Sequence, residues 1–99
     1  MKKIMLDEFK KSFSAKTPPE ELTPQEKALW FAGKGEWEKA HEIVQDLNDP
    51  FSSHIHAFLH RQEGDSSNAH YWYNIAGEKM PSVSLDEEWE LLFENRSQK

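Results

Sequence analysis

His56 and His60 stand four residues apart in the stretch His54–Pro81, and Glu63 follows three further on. On a helix this spacing lines up both imidazoles and the carboxylate along one face. Two imidazoles at i, i+4 can hold a divalent metal when a third ligand arrives, and His41, His70 or Asp65 can supply it. The adjacent catalytic glutamate of a zinc protease is missing, so the spacing by itself names no reaction. The same rings can equally be partly buried, hydrogen-bonded groups in a helix–helix seam. The expectation is therefore a protein without cofactor or resident metal, with His56, His60, His41 and His70 as its candidate ligands.

Two further clusters accompany the histidines. Arg61, Glu63 and Asp65 surround Gly64, either as an ion-pair network across a turn or as an anchor for a carboxylate or phosphate. Tyr71-Trp72-Tyr73 cannot all face one core, because three consecutive helical residues span about 200°. Trp72 and Tyr73 match the apolar face, which turns Tyr71 outward, and an exposed tyrosine beside tryptophan has the composition of a contact surface. A pocket lined by His56, His60, Trp30 and Tyr73 is the candidate site for a ligand or partner, with Glu63 and Tyr71 beside it. No Ser-His-Asp arrangement, P-loop, Gly-rich dinucleotide turn or zinc-protease motif is present. With no cysteine, thiol nucleophiles, disulfides and zinc ribbons are excluded.

The elements that must position these residues read as helices. Ile55, Phe58 and Leu59 recur at i, i+3, i+4, Gly64 ends that helix, and Asp65 can cap the next. The second helix carries Ala69, Trp72, Tyr73 and Ala76, with Gly77 to close it and Pro81 to block continuation. Upstream, Thr23-Pro24-Gln25-Glu26 is a capping box with proline at N1. It opens a helix to about Lys34, with Ala28, Leu29, Phe31 and Ala32 as core and Trp30 half-buried. Glu36–Leu47 forms the next helix on Trp37, Ala40, Ile43, Val44 and Leu47. Asn48-Asp49-Pro50 ends it, and Ser52 or Ser53 caps the helix containing His54. Ser84 and Glu87 make another capping box, before a final helix striped by Leu85, Trp89, Leu92, Phe93 and Arg96. Residues 1–14 form an amphipathic helix on Met5, Leu6, Phe9 and Phe13, read as a cover for the core or as a membrane-surface element. The Pro18-Pro19 stretch at residues 15–22 is a linker.

Charge narrows the partners. Residues 1–16 carry five lysines against two acids, while residues 17–99 carry seven bases against sixteen acids. An acidic body is a poor partner for nucleic acid, which is bound by neutralising its phosphates. Nothing follows Met1–Lys11 that could serve as a signal-peptide core, and no run approaches a membrane span. A soluble, cytoplasmic protein with no nucleic-acid or membrane partner is the expectation.

Aligning Gly35 with Gly64 places Ala40 on Ala69, His41 on His70, Val44 on Tyr73 and Leu47 on Ala76. Glycine, then alanine five residues later, then a bulky apolar residue four beyond, repeated at one offset, is a solenoid pattern. It resembles the tetratricopeptide-repeat class of helical hairpins, through Gly35, Trp37, Ala40 and Val44 in the first unit and Gly64, Ala69, Tyr73, Ala76 and Pro81 in the second. The likeness covers roughly residues 24–81. The unit is 29 residues long rather than the family's 34, and His56 and His60 stand where the family places apolar residues. The string from His56 to Gly77 also resembles one found in small bacterial proteins, a likeness that implies no activity.

The expected fold is all-α, a single domain over residues 1–99. It comprises the N-terminal helix (1–14), the linker (15–22), two tetratricopeptide-like antiparallel hairpins (23–49 and 50–81) and a C-terminal capping helix (82–99). The resemblance implies a non-enzymatic interaction module binding a protein, a short peptide or a second copy of itself. The alternative is a small histidine-dependent ligand- or metal-binding protein or enzyme using His56 and His60.

Overall fold

Among the described residues, four helices begin at side-chain caps. Thr23 accepts from the Glu26 amide at 3.1 Å and Glu26 returns to the Thr23 amide at 2.9 Å, with Pro24 in the first turn. Asp65 accepts from the Asn68 amide at 3.2 Å, and Ser84 from the Glu87 amide at 3.1 Å, the serine arm of the expected box. The fourth start corrects the sequence reading. Asp49, not Ser52 or Ser53, caps its helix, accepting from the Ser52 amide at 3.0 Å with Pro50 in the first turn. Asp49-Pro50 thus repeats the logic of Thr23-Pro24, a cap followed by a residue whose missing N–H costs nothing there. Ser52 and Ser53 are buried inside the helix.

The computed structural model describes residues 4–96. Residues 1–3 of the expected N-terminal helix and 97–99 of the expected capping segment lie outside them. The elements are α1 (Leu6–Lys11), continued by a 3-10 turn over Ser12–Ser14, then α2 (Pro24–Gly33), α3 (Trp37–Val44), α4 (Pro50–Gln62), α5 (Ser66–Ala76) and α6 (Leu85–Glu94). Among the described residues there is no strand, and the fold is all-α. None of these helices is long and apolar enough to cross a membrane. The turns after α2 and α4 place Gly35 at φ +81° and Gly64 at φ +90°, a region that L side chains avoid. The two glycines matched by the 29-residue offset therefore do the same backbone job.

α2 packs on α3 and α4 on α5, each pair joined by a three-residue turn, and α3 against α4 unites the pairs. Fully buried Ala57 and Ala69 let α4 and α5 approach around Tyr73. α6 lies on α4, α2 and α1. Trp89 donates to the Leu29 carbonyl at 2.9 Å, and Phe93 meets Phe9 at 4.4 Å between centroids. α1 covers this core through fully buried Phe9, while Met5 of the expected stripe is 65% exposed.

The expectation for α2 is reversed at two neighbours. Trp30 is fully buried and Phe31 is only partly so. The cause is the turn after α1, where Phe13 meets the Trp30 ring edge-on at 5.8 Å and Ser12 Oγ accepts from its indole at 2.8 Å. A buried indole N–H needs such an acceptor, and this one comes from beyond the linker.

Candidate functional site

The histidines meet between the two helix pairs. α4 turns His56 and His60 to the same face, 4% and 6% exposed, and α3 brings His41 to them half-buried. Trp37 fixes the approach of the helices, donating from its indole to the Leu59 carbonyl at 2.6 Å. Its ring stacks on His41 at 4.8 Å, and Trp72 of α5 stacks on His56 at 3.9 Å. His56 stacks on His60 at 4.9 Å, while His41 stands edge-on to them at 4.7 and 5.3 Å. One ligand nitrogen from each ring lies within 4.8 Å of the other two.

The electrostatics favour neutral rings at His56 and His41. Burial, followed by repulsion from His41 and His60, lowers the His56 pKa from 6.5 to about 4. Burial, then His60, also lowers His41, against weaker opposition from Glu63 and Glu42. His60 Nδ1 lies 2.7 Å from Glu63 Oε2, so a neutral ring donates there and keeps its lone pair on Nε2. His56 Nδ1 is buried with no hydrogen-bond partner, a costly state for a polar atom. His60, Glu63 and Asp65 make a second grouping of ligand atoms with the same mutual reach.

The remaining candidates divide. Trp30 belongs to the main core. Tyr73 lies between α4 and α5, and its hydroxyl donates to Glu88 at 2.6 Å. The ring contacts of His56 and His60 among the described residues are with Trp37, His41, Trp72 and each other, so the sequence-expected grouping with Trp30 and Tyr73 is not brought together ring to ring. His70 is exposed and belongs to neither ligand grouping, which ends its expected equivalence with His41. Tyr71 does look outward, 59% exposed.

Arg61 also departs from expectation. It does not close a network with Glu63 and Asp65 but reaches α6, donating to Glu88 at 2.7 Å and to the Val83 carbonyl. Glu88 is 2% exposed and sits between Arg61, Tyr73 and His54 Nε2, the last at 3.4 Å. Burial pushes its carboxyl upward, but the hydrogen bonds from His54, Tyr73 and Arg61 outweigh that and hold it below the usual value. Burial, then the bond to Glu88, raises Tyr73. The network was unforeseen in the sequence, and two of its members, His54 and Glu88, line a cleft of about 320 Å3 together with Phe51, Leu91 and Lys79. A signal for it existed, since Glu88 stands three residues after Leu85 and four before Leu92, on the apolar stripe.

The chain matches no protein-family model, no curated protein and no solved structure.

Proposed function

We propose that the chain is a non-enzymatic, cytoplasmic helical-repeat interaction module that associates with a second copy of itself through the outer face of α5. One observation carries this reading. In a chain with 30% charged residues, the 11 residues of α5 include no Asp, Glu, Lys or Arg. Its exposed side presents Tyr71 at 59% and Ile75 at 47% exposure, one turn apart. Depletion of charge around an aromatic is the composition of an interface core. Two copies at net charge −6 repel over most of their surface, and an uncharged face is where they can meet.

On the other side of the helix pairs, α6 packs on α2 and α4 and buries Trp89 and Phe93 together with Phe9 of α1, whereas the outer side of α5 keeps Tyr71 and Ile75 exposed. An 11-residue helix is about 16 Å long, and one such face falls short of the roughly 800 Å2 per partner of a stable dimer. The association is therefore weak, in the micromolar to millimolar range.

Sedimentation equilibrium over that range tests the reading. The wild type should show a concentration-dependent rise in mass, and Tyr71→Glu with Ile75→Lys should remain monomeric with an unchanged melt. A wild type that stays monomeric throughout, or a double variant that associates equally well, overturns it.

A further inference from the structure

The imidazole cluster invites a separate conclusion, independent of self-association. We propose that His41, His56 and His60 form a binding site for a divalent transition-metal ion of the zinc, nickel or copper type, with Glu63 positioning His60.

Geometry carries the first part of the argument. Three atoms within 4.8 Å of one another have a common centre no more than about 2.8 Å from each, against about 2.0–2.1 Å for zinc–imidazole bonds. Side-chain adjustments of under about 1 Å close that gap. Two ligands come from successive turns of α4 and the third from α3, so the backbone presents the set without rearrangement.

Two further observations point to a ligand. His56 Nδ1 is buried and unpartnered, although such atoms are normally satisfied by protein, water or an ion. His60 Nδ1 is paired with Glu63 at 2.7 Å, the carboxylate–imidazole contact that fixes tautomer and orientation in metal-binding histidines.

The donor chemistry selects the ion. A set of three imidazoles suits zinc, copper or nickel, whereas magnesium and calcium require oxygen. Half-buried His41 marks the solvent side, where water can complete four-coordination. Glu63 and Asp65, grouped with His60, supply compensating negative charge. Trp37 and Trp72, stacked on His41 and His56, wall the site and give it a built-in optical reporter.

The test uses tag-free, full-length protein stripped with chelator and titrated with zinc, nickel, cobalt or magnesium. Zinc should bind one ion per chain, change tryptophan emission and raise the melting midpoint. Cobalt should give the absorption of a four-coordinate site, and magnesium should do nothing. Glu63→Gln should weaken zinc by about ten- to a hundred-fold, and His41→Ala should lose more. His60→Leu should abolish the rise in midpoint, while His70→Ala should leave everything unchanged. Half-buried His41 makes its variant the mildest of the set, and circular dichroism checks the fold of each one. Folded wild-type protein that shows neither the emission change nor the cobalt spectrum overturns the proposal. So does zinc binding that survives His41→Ala and Glu63→Gln at full strength.

Discussion

The metal-free protein should lose stability between about pH 7.5 and pH 5, and His56 should carry most of the loss. Burial first, and the neighbouring His41 and His60 second, bring its pKa from 6.5 to about 4. The unfolded chain therefore takes up a proton near 6.5 that the folded ring refuses until about 4. Stability from this source is complete above the unfolded value and drains away as pH falls through the window down to the folded one. Integrating that difference gives a loss of about 2 kcal/mol by pH 5 and about 3 kcal/mol below pH 4. For a domain of this size each kcal/mol moves the midpoint by about 4–8 °C, so the melt should fall by on the order of 10 °C. His41, also lowered by burial, adds in the same direction. Asp49 and Glu88 are held below their ordinary values of 3.8 and 4.5, so their contributions fade only in more acid solution. The assay is thermal unfolding by far-ultraviolet circular dichroism with chelator present, for the wild type and for His56→Leu. Leucine is a near match in bulk and gives up no hydrogen bond at Nδ1, so the variant should fold and lose most of the slope. A wild-type midpoint that moves by under about 2 °C, or a variant that keeps the full slope, refutes the reasoning.

Glu88→Gln leaves Arg61 without its buried counter-charge at 2.7 Å and should cost about 3 kcal/mol, read as a lower urea midpoint at unchanged slope. Gly33→Ala would place a Cβ 2.6 Å from Phe13 Cζ and 2.8 Å from Trp89 Cζ2. The overpacking cost of about 1–3 kcal/mol should outweigh the helix-forming advantage of alanine, so a raised midpoint would show that both rings yield freely. Removing residues 83–99 strips Trp89, Leu92 and Phe93 from the core and Glu88 from Arg61. The truncated chain should melt without a cooperative transition or aggregate, and a sharp melt at the full-length midpoint would contradict that.

Local chemistry was legible wherever a residue acts on its own neighbourhood. Thr23, Asp65 and Ser84 cap as their spacing implies, and Gly35 and Gly64 turn the chain as the offset implies. The reading failed where a partner arrives from far away. Arg61 passes over Glu63, two residues off, for Glu88, 27 residues on, because a buried carboxylate needs a cation more than an exposed one does. Within Asp86-Glu87-Glu88 the three charges look alike by type, and only their rotation about the helix separates the one in line with Leu85 and Leu92, which meets Arg61, Tyr73 and His54. His41 and His70 are equivalent in the repeat but not in space. The helix bearing His41 faces a following pair, α4/α5, while the helix bearing His70 packs along its length on α4. That one difference in neighbours has two consequences. It encloses His41 with His56 and His60, giving three imidazoles a common centre, and it leaves His70, Tyr71 and Ile75 on an outer face. The metal site and the contact face proposed here thus follow from one 29-residue sequence offset, the first made where α3 meets α4 and the second on the side of α5 turned away from α4.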